Sequence, residues 1–169
     1  ALAPLVAAVH RQSLPAEQEA HELRRRHGLD LAALAVARIA VDASGLVEAA
    51  SLNGLTGARI AVQSVNNETG VIQPLAELGA RIREGGGLLV ADCSQGVGKL
   101  PLPDADIVIL SAHKLGGPPG LGALLVNDLA LLRPTGGQEK GYRRGTENLP
   151  AILGLAAALD AGFDWLEGA

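Results

Sequence analysis

Short, wholly apolar runs alternate with amphipathic stretches along most of the chain. The run Val36 to Val41 predicts a strand, with Asp42-Ala43-Ser44-Gly45 as its turn. Leu46 to about Leu52 predicts a short helix that stops at Asn53-Gly54. Arg59 to Val65, rich in β-branched residues, predicts the next strand. A helix follows from about Leu75 to Glu84, opened by Pro74 and closed by Gly85-Gly86-Gly87. Three further apolar runs read as strands: Leu88 to Ala91 delivers Asp92, Ile107 to Leu110 delivers Ser111, and Ala123 to Val126 leads into Asp128-Leu129. The last clear helix runs from about Leu149 to Trp165, with Pro150 in its first turn. Upstream, Ser13 is placed to cap a helix through Glu17, His21 and Arg25 that ends at Gly28. Residues 1–12 are apolar without a pattern that assigns them a partner.

Apolar strands interleaved with helices predict an α/β fold: a mostly parallel sheet covered by helices on both faces. In such sheets ligands collect at the carboxyl ends of the strands. Three of the predicted strand ends carry polar groups there: Asn66-Asn67-Glu68, Asp92 with Gln95, and Ser111 with His113-Lys114.

Composition narrows the function classes. At 169 residues the chain is long enough for one compact domain, or one and part of a second. Apolar residues make up 48% but aromatic ones only 2%, so the core must be built from Leu, Ala, Val and Ile. A net charge of -4 with no basic block gives nucleic-acid binding no support. No apolar run reaches membrane-spanning length, and the opening residues lack a signal-peptide leader. With Cys93 as the single cysteine there is no internal disulfide framework, and a reducing, cytoplasmic setting is expected. The chain begins with Ala and contains no Met, so a piece of a longer protein is one expectation.

Each polar strand-end group has an ordinary explanation when taken alone. A carboxylate such as Asp92 is most often a turn or cap residue, and Asn66-Asn67 can simply make a turn. His113 fits a hydrogen-bonded loop histidine, and Lys114 a solvated charge. Together they fit a narrower chemistry, that of a pyridoxal 5'-phosphate site. Such a site needs an amine to take the cofactor's aldehyde, a carboxylate to hold a proton on the pyridine nitrogen, and donors for the phosphate. Lys114, Asp92, and Ser111 with His113 supply these types. Gln95 and Asn67 are placed to reach the ring hydroxyl or a substrate carboxylate. The small residues of Gly116-Gly117-Pro118-Pro119-Gly120 let backbone approach a ligand closely.

Four segments, in order, resemble the cysteine desulfurases of the class V aminotransferase group, which are fold-type-I pyridoxal-phosphate enzymes. They are V-N-N-E-T-G-V-I-Q-P (Val65 to Pro74), A-D-C-S-Q-G-V-G-K (Ala91 to Lys99), S-A-H-K-L-G-G-P-P-G-L-G (Ser111 to Gly122) and T-G-G-Q-E-K-G-Y-R-R-G-T-E-N (Thr135 to Asn148). The resemblance covers residues 36–162 and barely touches residues 1–35. It implies an incomplete three-layer large domain, with residues 36–169 as part of the cofactor-binding domain and residues 1–35 unassigned. It also implies that Lys114 carries the cofactor, Asp92 partners the pyridine nitrogen and Gln95 the ring hydroxyl. Ser111 and His113 would hold the phosphate, Asn67 would lie near the substrate carboxylate, and Thr146 would reach the phosphate of a neighbouring subunit. The implied partners are L-cysteine or a related amino acid, a second copy of the chain in a homodimer, and a sulfur-acceptor protein of the kind that serves iron-sulfur cluster assembly. No metal ligand set is implied.

The pattern departs from the family in places. Cys93 stands beside Asp92, where the family has a small residue, and is read as a small buried residue rather than a persulfide carrier. His10, His21 and His27 have no setting that identifies the ring-stacking histidine. Pro119 replaces a lysine of the family's glycine loop. Two main readings stay open: the cofactor-binding core of a desulfurase that lacks full activity as this chain, or a silent relative acting as a scaffold or dimerisation module. Another class V activity, such as an aminotransferase or selenocysteine lyase, is a third.

Overall fold

The computed structural model describes residues 5–8 and 37–163. The expected helix after Ser13 and the three histidines before residue 36 lie outside the described residues. The last helix, expected to reach Trp165, ends at Asp160, where Ala161 caps it and Gly162 takes φ +70° and turns the chain away. Six strands form one sheet: β1 (Leu5–Ala8), β2 (Ala37–Ile39), β3 (Arg59–Gln63), β4 (Leu88–Asp92), β5 (Ile107–Ser111) and β6 (Gly122–Val126). Their order across the sheet is β2-β1-β3-β4-β5-β6. All neighbours are parallel except β5 and β6. The apolar stretch at the start of the chain thus has a partner after all, since β1 lies between β2 and β3.

Two α-helices are described, α1 (Leu75–Glu84) and α2 (Leu149–Asp160). Helix α1 buries Leu75, Leu78, Gly79 and Ile82, spaced at i, i+3, i+4 and i+7, and packs over β4. Beneath it the strands bury alternate residues, Ile60 and Val62 of β3, Leu89 and Ala91 of β4, and Val108 of β5. The intervening strand residues are half-buried or exposed, so among the described residues the cover is complete on one face only. Helix α2 starts from Asn148, whose side chain accepts a hydrogen bond from the Ala151 N–H, and has Pro150 in its first turn.

Two further expected elements are shorter than their apolar runs. In place of a helix from Leu46, the chain makes a 3-10 turn over Ala49–Leu52. The reason is tertiary: Val47 pairs with Val41 in an antiparallel bridge and gives its N–H to Gln73 Oε1 at 2.9 Å. Strand β3 stops at Gln63 because Val65 turns back to pair with Ile72. The turn between them is built on Asn66, whose Oδ1 accepts the N–H groups of Glu68 and Thr69, each at 2.9 Å.

Candidate functional site

Three adjacent parallel strands end side by side, and their exits carry the polar groups. Gln63 of β3 is level with Asp92 of β4, which is level with Ile109 of β5. Asp92 is half-buried at the last position of β4. Its Oδ1 accepts the Ser94 N–H at 2.9 Å, leaving Oδ2 unpaired among the described residues. Gln95 follows in the same turn, half-buried. Strand β5 ends at Ser111 and passes into a 3-10 turn over Ala112–Lys114. Because β6 runs antiparallel to β5, the chain returns to the sheet edge through residues 112–121 without a crossover helix. Lys114 therefore sits in the loop at the sheet's carboxyl edge. Gly116, two residues on, takes φ +90°, a conformation glycine adopts without strain.

The Ser111 hydroxyl and His113 Nδ1 lie 3.0 Å apart and share a hydrogen bond whose direction depends on the histidine tautomer. Lys114 is half-buried, and its Nζ has no hydrogen bond or ion pair among the described residues. Its carbonyl is held, however. Lys99 Nζ donates to the Lys114 carbonyl at 3.1 Å and to the Gln95 carbonyl at 3.2 Å, tying the β4 exit to the β5 exit. Sequence reasoning gave Lys99 no role. Its spacing of four from Gln95 was the available signal, and the second carbonyl comes from a loop that only the fold brings near.

The remaining expected residues divide. Asn66 is the turn-former of its pair, whereas Asn67 is exposed on the β3 exit with no side-chain hydrogen bond among the described residues. Thr146 is exposed in the loop before α2, and no hydrogen bond joins it to the strand-end cluster. Cys93 is 2% exposed. Burial, with the Asp92 charge as a smaller contribution, pushes its thiol above the ordinary value against a lowering influence from the Ser64 hydroxyl. That contact falls short of hydrogen-bond geometry, and Ser64 Oγ is left without a partner among the described residues.

The residue types suit pyridoxal phosphate: an amine, a carboxylate with one oxygen unpaired among the described residues and a hydroxyl–imidazole pair lie at the exits of neighbouring strands.

The aminotransferase class-V family model matches residues 15–166, and the chain belongs to that family of pyridoxal-phosphate enzymes. Relatives among characterised proteins include cysteine desulfurases. The chain is 43% identical over 139 residues to a cysteine desulfurase of Bradyrhizobium diazoefficiens, covering 76% of this chain and 35% of that protein. It is 36% identical over 154 residues to the cysteine desulfurase IscS of Rickettsia felis, covering 84% of this chain and 37% of that protein. Among solved structures, a NifS-like protein superposes with a TM-score of 0.78 at 27% identity, over 98% of this chain and 47% of that one. SspA in complex with cysteine superposes with a TM-score of 0.74 at 30% identity, over 95% of this chain and 48% of that one. The chain thus spans about a third of the length of these curated relatives and just under half of the solved chains.

Proposed function

We propose that the chain is the pyridoxal-phosphate-binding core of a cysteine desulfurase-like enzyme, with residues 36–169 forming part of its large domain. The observation that carries the reading is the juxtaposition of Lys114, Asp92 and the Ser111–His113 pair at adjacent parallel strand ends. Bound there, the cofactor would supply an aldehyde for attachment to an amine and a ring that draws electrons from an amino acid's α-carbon. Lys114 offers the amine, and Lys99 holds the loop that presents it. Asp92 offers its free oxygen to the pyridine nitrogen, with its other oxygen already oriented by the Ser94 N–H. Ser111 and His113 donate to the phosphate, Gln95 to the ring hydroxyl, and Asn67 lies where a substrate carboxylate would be met. Thr146 serves the phosphate site of a second copy in a homodimer.

Within this reading L-cysteine is the substrate and a sulfur-acceptor protein the destination, as the cysteine desulfurase relatives imply. The chain alone binds cofactor without releasing sulfur. Sulfur abstraction needs a thiolate that reaches the substrate and then an acceptor. The single cysteine, Cys93, is buried, with its thiol held protonated.

The test is addition of pyridoxal phosphate to the purified chain, followed by borohydride reduction and peptide mass mapping. A protein-dependent visible absorbance band and a label on Lys114 are expected. A label on Lys99 or Lys140 instead would overturn the assignment, and absence of any band would favour the scaffold reading.

A further inference from the structure

Lys114 lies in a tight turn that the chain closes on itself. The Leu115 and Gly117 N–H groups both donate to the Ala112 carbonyl, at 3.1 and 2.9 Å, so residues 112–117 curl around one acceptor. Ala112 and Leu115 are buried and anchor the turn. Gly117 is packed to its limit: a Cβ there would lie 3.1 Å from both the Cβ and the carbonyl oxygen of Ala112. A turn with so little slack passes on a push from its neighbour rather than absorbing it.

Helix α2 touches the chain at the very next residue. Gly154 of α2 stands against Pro118, and a Cβ there would come within 3.1 Å of Pro118 Cδ and 3.2 Å of Cγ. Glycine inside a helix is less stable than alanine, and no positive φ requires it at this position. What the missing side chain provides is the approach to Pro118. Proline makes that contact stiff, because its ring is closed on the backbone and cannot swing aside. The helix is held in its turn: Ala151 is buried, and Phe163, just past the helix end, lies on Gly98, where a Cβ would overlap its ring. Gly98 adjoins Lys99, whose amine holds the Lys114 carbonyl. The turn that carries Lys114 is thus held from outside by α2 as well as by Lys99.

We propose that Gly154 is a positioning residue for Lys114: it lets α2 seat Pro118 and, through Pro118 and Gly117, sets the turn that presents the amine. The proposal rests on the reading of Lys114 as the cofactor lysine.

The test exchanges bulk across the contact. Gly154→Ala overfills it, Pro118→Ala underfills it, and the double variant puts a methyl where ring carbons stood. Amide hydrogen exchange over residues 112–117 is followed by mass spectrometry in the cofactor-free chain, beside titration with pyridoxal phosphate by absorbance and thermal unfolding. Gly154→Ala should exchange roughly tenfold faster there and bind the cofactor roughly tenfold more weakly, toward the lower end of what overpacking costs. Its melting temperature should stay within about 4 °C of the parent. The double variant should recover both exchange and affinity to within roughly threefold of the parent, as volume-conserving swaps do. Unchanged exchange in Gly154→Ala, a double variant no better than Gly154→Ala, or a fall in melting temperature above about 10 °C would each overturn the proposal. If the parent chain takes no cofactor on Lys114, the cofactor reading fails, and the exchange measurements decide by themselves whether α2 sets the turn. Should Gly154→Ala not fold, Pro118→Ala decides: faster exchange over residues 112–117 supports the proposal, and exchange like the parent's overturns it.

Discussion

Replacing Lys99 with Met tests whether the two strand-exit loops are held together for a purpose. Lys99 donates to the Gln95 carbonyl at 3.2 Å and the Lys114 carbonyl at 3.1 Å, and methionine keeps the length of the stem while removing both bonds. The residue is exposed, so each bond is discounted for solvent and salt to about 0.5 kcal/mol. The pair together is therefore worth about 1 kcal/mol. If that energy biases the Lys114 loop toward its binding-competent position, and that position is the minor one in the free chain, losing it lowers the competent fraction about fivefold, and apparent cofactor affinity falls by the same factor. Global stability should change little, with the melting temperature falling by about 2–4 °C. The assay is titration with pyridoxal phosphate by absorbance, beside thermal unfolding of the same samples. Lys99→Arg keeps a cation that reaches both carbonyls and should recover most of the affinity. Three results would refute the reasoning: affinity within twofold of the parent in Lys99→Met, an arginine variant no better than methionine, or a drop in melting temperature above about 10 °C. The last would make Lys99 a general structural residue rather than a positioning one.

Other predictions address single groups. Asp92→Asn should leave the fold intact, being nearly isosteric, and weaken retention of the protonated cofactor ring, because an amide cannot supply the anion that favours the proton. An unchanged spectrum and affinity would reduce Asp92 to the Ser94 turn it also makes. Leu89→Ala removes a fully buried side chain beneath α1 and should cost about 2–5 kcal/mol in urea unfolding. A loss below about 1 kcal/mol would mean that the site collapses around the change. Cys93 has a folded-state pKa above its unfolded value, so its contribution to stability is complete below the ordinary thiol value of 9.0 and lost as pH rises through the folded value. The parent should therefore lose stability more steeply than Cys93→Ala above that pH, and parallel profiles would count against a buried neutral thiol. Enzyme-dependent sulfide from L-cysteine that disappears in Cys93→Ala would contradict the view that this chain binds cofactor without sulfur release.

Local pattern was sufficient for the parts whose partners are near in sequence. The apolar spacing of Leu75, Leu78, Gly79 and Ile82 marks the buried face of α1 directly, because a helix repeats its own geometry. The runs behind β3, β4 and β5 are short, apolar and punctuated by turn residues, so strands ending in polar groups were legible before any fold was known. From these followed the α/β class, the expectation of a strand-end site, and the residue types that suggest pyridoxal phosphate. What the pattern could not hold was any relation set by distant contacts. Residues 5–8 become a strand between β2 and β3 only because neighbouring strands supply their hydrogen bonds. Val47 leaves its helix because Gln73 takes its N–H, and β6 turns antiparallel because the chain returns along the sheet edge. The same limit separated Asn66 from Asn67 and hid Lys99, whose partners lie 4 and 15 residues away. Helix and strand propensities act over a few residues, so the sequence alone determined the central strands, the first helix and the candidate chemistry. Packing alone decided which strand ends stand side by side and which lysine ties two of them together, because those depend on groups that meet only once the chain has closed on itself.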